Sequence, residues 1–205
     1  MEKPFGSAAP IDDALGALGR LLDARGISYA FVVAGGAALA LLDRLARTTA
    51  DVDVLCIRNE RTELVPAPNP LPRDLLRWVE EVATDFGLPS DWLNSEMSSG
   101  YSAGLPIGYG DRIQWRRYGS LEIGVLHRTD LIALKLEAAA DHVQRGETWS
   151  IVPTERRHLD DLVALRATTE ELNSAATWVR SANVARDLDD RIDWVIRHVA
   201  EQHRR

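Results

Sequence analysis

Two short stretches of this chain carry residue types from which a phosphate-handling site can be built. One is Gly35-Gly36, which ends the apolar run Phe31-Val-Val-Ala34, and the other is Asp51-Val-Asp53-Val54. On a strand, side chains alternate faces, so Asp51 and Asp53 project one way while Val52 and Val54 project the other. Two carboxylates so placed repel each other and call for a cation between them. Oxygen-only donors in an open arrangement suit Mg²⁺ or Mn²⁺, which would bridge to a substrate phosphate. A Gly-Gly turn between a strand and a helix lets backbone N–H groups approach phosphate oxygens, and the positive end of the following helix adds to the attraction. Taken singly, an Asp-x-Asp reads as the polar face of an edge strand and a Gly-Gly pair as a tight turn. Both within one α/β unit, separated by a single helix, are much less common and point to a catalytic-type site.

The elements that must position these residues follow from the pattern. Leu15, Leu18 and Leu22 at helical spacing predict a helix over 11–25, stopped by Gly26. Residues 28–33 predict a buried strand, 37–45 a helix and 51–57 a second strand. Four prolines between residues 63 and 73 predict a surface loop. A helix is expected over 74–86, a short capped helix over 89–94, and irregular chain over 98–110. Residues 112–118 and 121–126 alternate as a hairpin about Gly119-Ser120. From Thr129 the pattern is helical throughout, over 129–142, 153–166, 169–179 and 184–202, with Leu188, Ile192, Val195 and Val199 as an apolar stripe on the last. The expectation is an α/β core over residues 1–128 followed by a helical subdomain over 129–205.

Composition bounds what such a chain does. The 205 residues hold 24 Lys+Arg against 31 Asp+Glu, a net charge of −7, which argues against nonspecific coating of nucleic acid. The single cysteine, Cys56, excludes an internal disulfide framework and a cysteine-based zinc site. No apolar stretch approaches the ~20 residues that span a bilayer, and no secretory signal is visible near Met1, so a cytoplasmic location without membrane attachment is expected.

With Gly35-Gly36 and Asp51-Val-Asp53 in this order, the sequence resembles the nucleotidyltransferase superfamily. More narrowly it is similar to the AbiEii-like branch, which includes toxins of type IV toxin–antitoxin systems. Supporting pieces are Arg47-x-Thr49-x-Asp51, Leu88-Pro-Ser-Asp-Trp-Leu-Asn94, Leu131-Ile-Ala-Leu-Lys135-Leu-Glu-Ala138 and Arg157-His-Leu-Asp-Asp161-Leu162, spanning roughly Phe31 to Leu165. The resemblance implies a mixed-sheet nucleotidyltransferase-like core and metal-dependent transfer from an NTP. It casts Asp51 and Asp53 as metal ligands and Gly35, Gly36, Arg47, Thr49, Lys135 and Asp161 as nucleotide-binding residues. It also implies a third carboxylate, for which Glu122 is the candidate; the alternative for Glu122 is a solvent-facing hairpin residue. Lys135 would reach the triphosphate, the alternative being a lysine snorkelling at the surface. The chain departs from the family pattern at His158, where an acidic residue is usual, and Arg157 and Asp161 at i,i+4 spacing also fit a helix salt bridge.

Other hints are set aside. Asp85-Phe-Gly87 matches the kinase metal-binding tripeptide without the rest of that signature, and reads as a helix end with a glycine cap. His142, His158, His198 and His203 lack a zinc spacing and read as surface histidines. Trp78, Trp92 and Trp115 read as packing residues, and Arg112, Arg116 and Arg117 as a solvated hairpin face. The acceptor stays open at this point: tRNA for a toxin with a possible antitoxin protein partner, a cationic small molecule of the aminoglycoside kind, or a protein. A non-catalytic nucleotide-binding module with the same fold is the reading from outside the enzymes.

Overall fold

A computed structural model describes residues 8–44, 49, 51–101, 104–146, 148–182 and 187–204. The chain forms two compact units, one of Met1–Ser102 with Gly108–His127, the other of Ala103–Ile107 with Arg128–Arg205. Among the described residues, no helix is long and apolar enough to cross a membrane.

The first unit opens with helix α1 (Ala8–Asp23), whose Ile11, Leu15, Leu18 and Leu22 are fully buried. Strand β1 (Tyr29–Ala34) runs into helix α2 (Gly35–Leu41), and β2 (Val52–Arg58), β3 (Leu64–Pro66), α3 (Arg73–Phe86) and β4 (Leu93–Asn94) follow. A short α4 (Tyr109–Arg112) precedes the hairpin of β5 (Gln114–Tyr118) and β6 (Leu121–Val125). These strands form one mixed sheet in the order β3-β2-β1-β6-β5, with β4 added on β2. β1 pairs parallel with β6 and antiparallel with β2. Phe31, Val32, Val33 and Ala34 have no solvent exposure, which is why β1 reads as an unbroken apolar run rather than an alternating one.

Several sequence expectations shift. The helix after the glycine pair begins at Gly35 itself. The proline-rich loop contains the short edge strand β3, tolerated there because the edge needs no inward N–H from its prolines. Residues 89–92 are a turn closed by Trp92 N–H donating to Pro89 O at 3.1 Å, and 93–94 are β4, so the expected capped helix over 89–94 is not formed. Trp92 is fully buried, its Nε1–H donating to Val79 O at 2.9 Å. Trp115 instead stands 37% exposed under the guanidinium of Arg58, 4.2 Å from its ring centre. Gly87 does cap α3, in the left-handed conformation.

The second unit is built on helices α5 (Arg128–Asp141), α6 (Arg157–Ala164), α7 (Thr169–Ala182) and α8 (Leu188–Gln202). Leu188, Ile192, Val195 and Val199 of α8 are buried as their spacing requires. This unit is not wholly helical, because β7 (Val143–Arg145) and β8 (Trp149–Ile151) form an antiparallel hairpin after α5. Strands of three residues are too short to show a period of two, so the pattern hides them.

Thr168 and Glu171 form a reciprocal cap at the start of α7. Glu171 N–H donates to Thr168 Oγ1 at 3.2 Å, and Thr168 N–H donates to Glu171 Oε2 at 2.9 Å. Arg128 also donates to Glu171, and its hydrogen bond is the main cause that draws this carboxyl down from 4.5 to about 2. A carboxyl held below its unfolded value contributes stability above that value and loses it as pH falls through the folded one. Glu171→Gln should therefore lower the melting temperature most near neutrality, the gap to the parent closing between pH 5 and 2. Circular-dichroism melts across that range test this, and a gap independent of pH contradicts it.

Candidate active site

β1, α2 and β2 place the glycine pair beside the two aspartates. Val52 and Val54 are fully buried while Asp51 and Asp53 are half-buried on the alternate positions, so both carboxylates leave one face of the segment. Asp53 lies in register with Ala34, the residue before the glycines, on one side and with Asn94 of β4 on the other. Between the Val32–Cys56 and Val33–Val54 pairs β2 carries one extra residue, Leu55, a bulge that sets which face Asp53 presents.

The glycines are required by contact. Gly35 has φ +65°, and a β-carbon built on it would overlap Asp53 Oδ2. On Gly36 it would lie 2.6 Å from Thr49 Oγ1. Thr49 is buried and its hydroxyl donates to Asp51 Oδ1 at 3.2 Å. One glycine thus makes room for Asp53 and the other for the threonine that orients Asp51. Two half-exposed carboxylates over a backbone stripped of side chains make an all-oxygen donor set fit for a hard divalent ion.

Gly35→Ala should cost about 1–2 kcal/mol from the left-handed conformation alone. It should also push the Asp53 carboxylate aside, and with it any divalent ion that Asp51 and Asp53 hold. Gly26→Ala has the same φ of +65° and nothing within 4 Å of the added carbon, so it should cost similar stability and leave ion binding intact. Mn²⁺ titration of the two variants separates the effects, and equal Mn²⁺ affinities would exclude a carboxylate site shaped by Gly35.

Glu122 is not brought to the aspartates. It pairs with Ala30 whereas Asp53 pairs with Ala34, a separation of four residues along β1, or about 13 Å at ~3.3 Å per residue. There its carboxylate accepts a 2.7 Å hydrogen bond from Arg58 Nη1. It is neither a third carboxylate at this site nor a bare hairpin residue, because the sheet register carries β2's Arg58 back to it. Arg47 lies outside the described residues.

Lys135 and Asp161 belong to the second unit and bind each other, Nζ to Oδ2 at 2.7 Å, with side chains 8% and 0% exposed. The lysine does not snorkel, and Asp161 takes Lys135 in place of Arg157, which contacts Glu155 at 3.1 Å instead. His158 is not a surface residue either, its side chain being 12% exposed. Burial first, then the charges of Lys135 and Arg157, push its imidazole down to about 4, so it is neutral at pH 7. Asn94 escaped the sequence reading as a neighbour of Asp53, because only β4's parallel pairing with β2 puts it there.

A mixed α/β sheet with a glycine turn set against an Asp-x-Asp strand is the arrangement of a nucleotidyltransferase-type site. The chain matches, over residues 14–195, the family described as "Nucleotidyltransferase of unknown function (DUF6036)", and it belongs to that family. No curated protein and no solved structure matches it.

Proposed function

We propose that this protein is a metal-dependent nucleotidyltransferase that moves a nucleotidyl group from an NTP to an RNA acceptor, tRNA in the first instance, in the manner of AbiEii-like toxins. The observation that carries the transfer reading is the fit of Gly35 against Asp53 and of Gly36 against the Thr49–Asp51 pair. Asp51 and Asp53 would hold Mg²⁺ or Mn²⁺, which when bound offsets charge on the phosphates. The backbone at the Gly35-Gly36 turn would receive phosphate oxygens beside the two carboxylates. The Thr49 hydroxyl donates to Asp51 Oδ1 and so orients that carboxylate. In the reaction the acceptor oxygen bonds to the α-phosphorus as the bond to the β-phosphate oxygen breaks, and pyrophosphate leaves.

Lys135 and Asp161 support this reading differently from what the resemblance implied: we assign their pair to fixing α5 against α6. The family match supports nucleotidyl transfer in general; the toxin branch rests on the sequence resemblance, the Arg157-His-Leu-Asp-Asp161-Leu162 segment included, and an antitoxin protein would be the partner it calls for. Purified protein with Mg²⁺ and α-labelled NTPs, offered total tRNA, a cationic aminosugar or protein in parallel, tests the acceptor. Label on tRNA, with growth arrest on expression that Asp51→Ala relieves, is the expected outcome. Label on the aminosugar alone redirects the reading to small-molecule transfer. NTP binding with no labelled product contradicts catalysis and leaves a binding module.

A further inference from the structure

His142, Glu155 and His158 come from three separate segments of the second unit. His142 follows α5, Glu155 ends the 3₁₀ turn Pro153–Glu155, and His158 sits in the first turn of α6. The β7–β8 hairpin closes Val152 N–H on His142 O at 3.1 Å, and Glu155 N–H donates to Val152 O at 2.9 Å, so the backbone fixes how these segments meet. Glu155 Oε2 lies 3.2 Å from His158 Nε2 and 3.9 Å from His142 Nε2. One ligating atom from each residue falls within 4.8 Å of the other two. The imidazole rings lie parallel, 5.9 Å apart.

From this geometry we infer that His142, Glu155 and His158 form a binding site for a zinc-type transition-metal ion, with a fourth position open to solvent. Two imidazole nitrogens and one carboxylate oxygen are a borderline-soft donor set, suited to Zn²⁺, Co²⁺ or Ni²⁺ rather than to Mg²⁺ or Ca²⁺. Ligand bonds of about 2.0–2.1 Å require the donors to draw together to roughly 3.4 Å around a tetrahedral ion. His142 has the freedom to swing in and turn its ring, since its side chain is 43% exposed. Arg157, 53% exposed and 3.1 Å from Glu155 Oε2, must give up that contact and has solvent to move into. The site would tie the hairpin to α6 three residues before Asp161, whose carboxylate holds Lys135.

The test is a Co²⁺ and Zn²⁺ titration of the full chain carrying Asp51→Ala and Asp53→Ala, so that those carboxylates do not compete. One equivalent of Co²⁺ is expected, with the ligand-field bands of a tetrahedral ion, displaced by Zn²⁺ and unaffected by excess Mg²⁺. Zn²⁺ should also raise the melting temperature. His142→Ala, at the most exposed of the three positions, should keep the fold and weaken binding at least about a hundredfold. His158→Gln serves as the second variant, with the same loss expected. Absence of stoichiometric Co²⁺ binding, octahedral spectra, or unchanged affinity in a folded His142→Ala protein overturns the site.

Discussion

Asp53→Ala is expected to reduce nucleotidyl transfer by roughly a hundred- to a thousandfold, the scale of losing one charged group aimed at a phosphoryl transition state. Asp53 is half-buried, lies in register with Ala34 and sits directly over Gly35, so it is the carboxylate held closest to the glycine backbone. Asp53→Asn keeps the volume and hydrogen-bonding reach of the side chain but removes its charge, and should lose as much. The pair of variants separates electrostatics from packing. Melting temperatures close to the parent are expected for both, because the Asp53 side chain is half-buried at the site and not part of the apolar core. Activity of either variant within a few-fold of the parent would remove Asp53 from the site.

The second large effect is on stability. Lys135→Met leaves Asp161, a carboxylate with no solvent exposure, without its ammonium partner. Breaking a buried ion pair from one side costs about 3–5 kcal/mol. Asp161→Leu, which strands the lysine instead, should cost a similar amount. The double variant Lys135→Met/Asp161→Leu should recover most of the loss, since two apolar side chains of similar volume replace two desolvated charges. Urea unfolding of the four proteins measures the coupling. Losses that simply add in the double variant would show that the two groups do not depend on each other.

The parts of this fold that were legible in the sequence are those whose signal is local. β1 announced itself by an unbroken apolar run, α8 by a four-residue stripe, and Asp51 and Asp53 by alternation with buried valines. The parts that were not legible depend on register or on distant pairing. Glu122 looked available until parallel pairing with β1 placed it opposite Ala30 and beside Arg58. Lys135 reads from the sequence as a triphosphate contact or a snorkelling lysine because nothing near it in sequence is its partner, and Asp161 lies on another helix. The histidines showed no metal spacing because a hairpin of two three-residue strands, invisible as a periodicity, brings His142 to His158. The Thr168-x-x-Glu171 capping box is, by contrast, readable from residue types alone and agrees with the helix start expected at Thr169.

The central claim is that the first unit transfers the α-phosphorus of an NTP with its nucleoside, and one paired experiment addresses it. The purified protein is incubated with Mg²⁺ and total tRNA, once with an α-labelled and once with a γ-labelled NTP. The proposed reaction puts the α-label on RNA and the γ-label wholly in pyrophosphate, with both products reduced at least about a hundredfold by Asp53→Ala. A γ-label on the acceptor, or γ-label released as orthophosphate with no α-label incorporated, would mean kinase or hydrolase chemistry and contradict the account.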